Sequence, residues 1–124
     1  MWSDFVFNGP YEGDIPTSIN GVALPQDYID FMSEHNGGEG DTGRSWLVLF
    51  PVEDLQEMND EYEIGKYLKD KMIIGSNGAG ELIGIDNEGN YFIVPDMIEE
   101  EYLSILGDSI DELPEDLNRY WDEL

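Results

Sequence analysis

Two loop motifs, a single histidine and a large surplus of carboxylates are the parts of this 124-residue sequence whose residue types could do chemistry. Gly75-Ser-Asn-Gly-Ala-Gly80 has the glycine density of a loop that wraps phosphate. Such a loop opens into a helix whose N-terminal N–H groups meet the anion. Here Glu81-Leu-Ile-Gly-Ile85 follows and reads as a strand, the loop has no lysine, and the chain is acidic, so a turn is expected. Asp86-Asn-Glu-Gly-Asn90 alternates oxygen-bearing side chains in the manner of a calcium loop. An EF-hand needs glycine at its sixth position and glutamate at its twelfth. In this stretch the glycine is fourth and a strand comes next, so no more than a weak, adventitious calcium site is expected. His35 has no serine or cysteine nucleophile placed with it in a recognisable motif. It falls where a helix should finish, and a cation there interacts favourably with the helix dipole. Paired carboxylates could in principle hydrolyse a glycosidic bond, but 29 acidic residues offer many pairs and single out none. No catalytic residue, cofactor or metal ligand is assigned on this basis.

The charge itself is the stronger signal. Five basic residues against 29 acidic ones leave a formal −24. A surface of that sign repels DNA, RNA and anionic lipid, so neither nucleic acid nor a membrane is expected as partner. A basic protein is. Two acidic groupings are candidates for the contact: Glu34, Glu39 and Asp41, and a C-terminal set made of Glu99, Glu100, Glu101, Asp108, Asp111 and Glu112, beside which lie Glu115 and Asp116. A run of charge is usually a solvated face; the alternative is a docking surface that speeds association and excludes wrong partners. Composition does not choose between them. With 40% hydrophobic and 12% aromatic residues the chain is expected to fold as one domain over residues 1–124. The absence of cysteine removes disulfides and thiolate chemistry and is compatible with the cytoplasm. No apolar run spans a bilayer, and no signal peptide is visible.

The elements that would carry these residues are organised around Leu24 to Gly40. Pro25 suits the first helical position, Asp27 and Asp30 complement the dipole, and Tyr28, Phe31 and Met32 form one apolar stripe. Gly37 or Gly38 is expected to cap the helix in the left-handed conformation. Residues 2–8 read as a short strand or an apolar arm, residues 11–20 as either a short helix or a loop, and Asn20-Gly21 as a turn. Ser45–Phe50 reads as a buried strand stopped by Pro51, and Val52, Leu55 and Met58 as the stripe of a second helix. A polar stretch from Asp60 to Lys71 follows. Met72–Gly75, Glu81–Ile85 and Tyr91–Val94 form an antiparallel meander. Met97, Ile98, Tyr102, Ile105 and Leu106 suggest a helical stripe ending at Gly107. Leu117, Tyr120, Trp121 and Leu124 suggest a last helix that docks on the domain. The fold class is therefore α+β: an antiparallel sheet of about four to six strands with helices packed on it.

Leu24-Pro25-x-x-Tyr28-x-x-Phe31 running into Asn36-Gly-Gly38-x-Gly40 resembles the signature of the Smi/Knr-type SUKH superfamily. Further features follow in the order that likeness implies. A strand and helix occupy Leu47 to Met58, with Asn59 and Tyr62 after them. Ile74-Gly-Ser-Asn-Gly-Ala-Gly-Glu81 then precedes a strand ending in Asp86, and Pro95 comes after the third strand. The likeness covers about Leu24 to Pro95, and residues 2–20 depart from it. It implies a SUKH-like α+β domain without a catalytic residue set, whose bacterial members are commonly immunity proteins against polymorphic toxins and whose fungal members regulate cell wall and signalling. Leu24, Pro25, Tyr28, Phe31, Gly37 and Gly38 are then determinants of the fold. The expected function is binding and neutralisation of a basic, nuclease-type toxin. A regulatory or scaffold module is the alternative, and a hydrolase using paired carboxylates a third reading.

Overall fold

Alternating, β-branched and helical-period segments resolve into nine strands and four helices in the computed structural model, which describes residues 2 and 4–123. In chain order these are β1 (Phe5–Phe7), β2 (Ser18–Ile19), β3 (Val22–Ala23), α1 (Gln26–Glu34), β4 (Gly38–Asp41), β5 (Trp46–Leu49), α2 (Leu55–Glu61), α3 (Ile64–Tyr67), β6 (Lys71–Ser76), β7 (Leu82–Asp86), β8 (Tyr91–Val94), β9 (Ser104–Gly107) and α4 (Leu113–Asp122). Short 3₁₀ turns occupy Val52–Asp54, Glu100–Tyr102 and Ile110–Glu112. Seven strands form one sheet in the order β1-β4-β5-β6-β7-β8-β9, every pair antiparallel, and β2–β3 is a separate hairpin. The α+β class holds, with a sheet one strand wider than the four to six counted from the sequence. Residues 11–20 are loop apart from β2, and Asn20 (φ 52°) and Gly21 (φ 77°) make the tight turn into β3. Two positive φ values in sequence are what a twisted two-residue hairpin demands.

Helix α1 starts one residue later than the proline pattern suggests. Pro25 is the N-cap, with φ −62° and ψ 148°, and its carbonyl accepts the Ile29 N–H at 3.0 Å. Tyr28 and Met32 are fully buried. Phe31 joins a half-buried aromatic cluster with Trp2, Phe7 and His35. Asp27 does more than complement the dipole: it accepts from the Tyr28 N–H (2.8 Å), the Tyr91 hydroxyl (3.3 Å) and the Ile110 N–H (2.8 Å). One carboxylate thus ties α1 to β8 and to the turn ahead of α4.

The glycine cluster that was expected to cap α1 has another function. The helix ends on His35 in an extended conformation, and Gly38 and Gly40 belong to β4. Both face the ring-bearing side of β1, opposite Phe7 and Phe5. A Cβ on Gly40 would lie 2.5 Å from the Asp4 carbonyl oxygen and 2.5 Å from Phe5 Cα. The close approach of two backbones therefore requires glycine.

A second departure lies between Met97 and Gly107. The apolar residues there fit a helical period, yet residues 100–102 form a 3₁₀ turn and residues 104–107 are strand β9, paired with β8 through Ile105↔Phe92 and Ser104↔Ile93. Leu106 is buried and Ile98 packs against the core, but Met97, Tyr102 and Ile105 are exposed, so the residues do not share one buried helical face. Backbone pairing along β8 decides the conformation, a contact that local period does not report. Helix α4 then closes over the end of β9. The Arg119 guanidinium donates to the Leu106 carbonyl (2.9 Å) and to Asp116 (2.9 Å), while Leu113 and Leu117 are fully buried. The last helix docks as its stripe predicts, with Tyr120 and Trp121 half-buried; Leu124 lies outside the described residues, as does Ser3 of the N-terminal arm.

Strand β5 is shorter than β6, and Asn59 of α2 occupies the gap. Its side-chain amide accepts from the Ile73 N–H (2.8 Å) and donates to the Ile73 carbonyl (3.0 Å) and the Leu55 carbonyl (2.8 Å). A buried asparagine so stands in for the strand that has ended, and no ladder group of Ile73 is left unpaired.

Candidate protein-binding surface

The two loop motifs are engaged within themselves. Asn77 Oδ1 accepts the N–H groups of Ala79 (2.9 Å) and Glu81 (3.0 Å), and its amide donates to the Glu81 carboxylate (2.8 Å). The N–H groups a phosphate would need are thus turned inward, and the loop enters strand β7, as expected of a turn. Asp86 accepts from the Glu88 and Asn90 N–H groups (both 2.9 Å) and is buried. His35 stacks on Phe7, ring centroids 4.3 Å apart, as part of the aromatic cluster.

The nine acidic residues singled out in the sequence fall in three places. Glu34 joins Asp27, Asp30 and Asp111 around a groove of about 240 Å³ beside α1, and Asp108 and Glu112 flank Asp111 in the chain. Glu99, Glu100 and Glu101 sit on the β8–β9 connection above a corner rich in lysine. Glu39 and Asp41 lie on β4 and point away from the core. Glu115 and Asp116 follow on α4, where Asp116 is buried against Arg119 and serves the fold.

Within these groups the carboxylates are not equivalent. Glu100 accepts from the Lys71 ammonium (3.0 Å) and the Lys69 N–H (3.2 Å), and those bonds hold its carboxyl below the usual value. Its neighbour Glu99 shares a hydrogen bond with Glu101, which holds the Glu99 carboxyl above it. Lys66, Lys69 and Lys71, three of the five basic residues, line the recess of about 390 Å³ that Glu100 enters. The other two are drawn to α4: Arg44 to Asp122 (3.2 Å) and Arg119 to Asp116.

Glu39 and Asp41 sit in different surroundings. In β1, β4 and β5 burial alternates, whereas every residue of β7 and β8 is buried. The β6–β8 part of the sheet is covered on both faces and the β1-β4-β5 part on one. Paired residues share a face, so Val6, Glu39 and Val48 form one row across three strands, and Asp41 with Trp46 forms the next. Val6 is 72% exposed and Trp46 45% exposed. Among the described residues no hydrogen bond or ion pair engages the Glu39 carboxylate; Asp41 accepts the Gly43 N–H at 2.7 Å through one oxygen.

This face was only partly legible. The sequence reads Ser45–Phe50 as a buried strand, but Trp46 and Val48 point to the open side while Leu47 and Leu49 fill the core. The signal is the acid–glycine alternation of residues 38–41, which local pattern divides between the helix end, up to Gly40, and a polar loop from Asp41. Local pattern does not mark Val6 and Trp46 as exposed or Val48 as half-buried on that side.

Fold and composition define an acidic α+β domain. The chain belongs to the SMI1/KNR4 family (SUKH-1), whose family model matches residues 18–116. That is the domain kind of immunity proteins and related regulators. No curated protein matches the chain at a significant level. Among the described residues no helix is long and apolar enough to cross a membrane.

Proposed function

We propose that this protein is a non-enzymatic, cytoplasmic immunity protein that binds a basic cognate toxin of the nuclease type and occludes its active site. The observation that carries this reading is a net charge of −24 on a domain of this family. A nuclease must present cations to hold a phosphate backbone, and an acidic protein competes for that surface. The lysines lie in their own corner and both arginines are paired with carboxylates of α4, so no basic residue is paired with the exposed β4 carboxylates among the described residues. Uniform solubility is a weaker explanation, because a charge this one-sided also destabilises the folded state by self-repulsion.

The test is co-expression with the product of the neighbouring toxin gene, followed by pull-down and a toxicity assay. A tight complex that protects the cell is expected, with an association rate that falls steeply as salt is added. Failure to protect against any neighbouring or secreted basic toxin, with the protein folded and abundant, overturns it.

A further inference from the structure

We infer that the open half of the sheet, formed by β1, β4 and β5, is the docking surface, and that its occupant is a basic protein segment carrying apolar side chains. This rests on the binding reading above and names its surface. Strands are about 4.8 Å apart, so Val6 and Val48 stand roughly 10 Å from each other with the Glu39 carboxylate between them. Trp46 lies two residues from Val48 on the same face of β5, directly opposite Asp41. The unit is therefore three apolar side chains interleaved with two carboxylates on a rigid scaffold. A groove of about 250 Å³ edged by Val6, Asn8, Val48 and Pro51 runs along the Val6–Val48 row.

Charge decides what can cover it. No lysine or arginine occupies a strand position on this face, Arg44 of the β4–β5 hairpin is paired with Asp122, and the Trp46 indole N–H makes no hydrogen bond among the described residues. A second copy of the chain would bring Glu39 and Asp41 towards their own like charges, with −24 on each partner. A nucleic acid or an anionic lipid surface is repelled for the same reason. A basic segment offers ammonium or guanidinium groups to Glu39 and Asp41 while its apolar residues cover Val6, Val48 and Trp46. Trp46 closes one end of the patch, and tryptophan is among the residue types that most often dominate binding energy.

The other two acidic groupings fit less well. The Glu99–Glu101 segment is already held by Lys69 and Lys71. The groove beside α1 offers Phe31 as its one apolar side chain, and one of its carboxylates, Asp27, is consumed by three internal hydrogen bonds.

Nitrogen-15-labelled full-length protein titrated with a short synthetic peptide of alternating lysine and valine tests this. The expected result is a set of amide shifts concentrated at Val6, Glu39, Asp41 and Val48, with a shift of the Trp46 indole N–H. The indoles of Trp2 and Trp121, whose N–H groups are buried, should stay put. Trp46→Ala should weaken the peptide about tenfold, and Glu39→Lys with Asp41→Lys by about thirtyfold. Glu34→Lys with Asp111→Lys, the same change of charge beside α1, should cost less than about threefold if the sheet face is the site. Shifts centred on α1, shifts spread evenly over the surface, an equal loss in the α1 control, or no binding at all overturn the inference. The spectra also report whether each variant is folded. A protein that maps the peptide to this face but neutralises no toxin fails the functional reading alone. One that neutralises a toxin equally well with Glu39, Asp41 and Trp46 replaced fails the surface alone.

Discussion

Tyr28 and Tyr91 sit at the base of α1 with their phenols inside the protein. Burial pushes both above the usual tyrosine value, and for Tyr91 the Asp27 carboxylate pushes further. In the unfolded chain both titrate near 10. Below that pH the two states hold the same protons and the phenols do not affect stability. Above it the unfolded chain releases protons that the folded protein retains, so stability falls as pH rises. The expected slope is up to ~1.4 kcal/mol per pH unit for each tyrosine. Urea melts from about pH 9 to 11 should show this loss, and Tyr28→Phe and Tyr91→Phe should each remove one share of it. The two replacements differ at neutral pH. The Tyr28 hydroxyl has no hydrogen-bond partner among the described residues, so its removal should be neutral or mildly stabilising. Losing the Tyr91 hydroxyl gives up a bond to Asp27. An alkaline slope unchanged in the double variant would show that other groups set it. Asn59 makes a second prediction at this scale. Asn59→Leu leaves the Ile73 N–H and carbonyl unpaired in the interior, at an expected cost of about 2–4 kcal/mol in equilibrium urea unfolding. A cost below ~1 kcal/mol would mean that water or a backbone shift satisfies the β6 edge instead.

Among the elements, β4 is the most demanding. It lies between β1 and β5, and its inward-facing positions are both glycine, so the β1 backbone and, at Gly38, the Phe5 ring occupy the space of its missing side chains. Gly40→Ala should push β1 off the sheet at a cost of roughly 2 kcal/mol or more. Hydrogen exchange at Phe5 and Phe7 should accelerate before exchange in β7 and β8. Equal acceleration in all strands would mean that β1 does not open as a separate unit. The same strand explains what pattern reading could and could not see. The helix ahead of it shows in a proline, a three-residue stripe and a terminal glycine run. The meander β6–β8 shows in apolar runs separated by Asn-Gly-Ala-Gly and Asn-Glu-Gly-Asn turns. In Gly38-Glu-Gly-Asp41 there is no apolar residue to mark a strand, and it is held between β5, which follows it in a hairpin, and β1, more than thirty residues back. The β9 segment is the converse case, where a helix-like stripe lies on residues whose backbone pairs with β8.

For the molecule as a whole, net charge is the governing quantity. Twenty-nine acidic side chains against five basic ones repel one another in the folded state more than in an expanded chain. Raising sodium chloride from low to moderate concentration should therefore stabilise the isolated protein, by about 1 kcal/mol or ~4 °C in Tm for a domain of this size. The same salt should weaken capture of a basic partner. Opposite signs for stability and binding would separate general self-repulsion from a specific acidic interface. Thermal melts with parallel binding measurements read both, and a Tm that falls with salt would contradict the repulsion argument. Composition was enough to establish the sign and size of this charge, and local pattern was enough for the turns, for the body of α1 though not its glycine cap, and for the docked C-terminal helix, because these depend on residues a few positions apart. Where the charge sits was decided by tertiary pairing. The register of β1, β4 and β5 turns Glu39 and Asp41 outward beside Val6, Val48 and Trp46, while Lys69 and Lys71 meet Glu100, Lys66 meets Glu63 and the arginines meet carboxylates of α4. A one-residue slip in that register would exchange the open face for the core, and while β4 meets β5 in a local hairpin, the register of β1 on β4 depends on contacts between residues more than thirty positions apart.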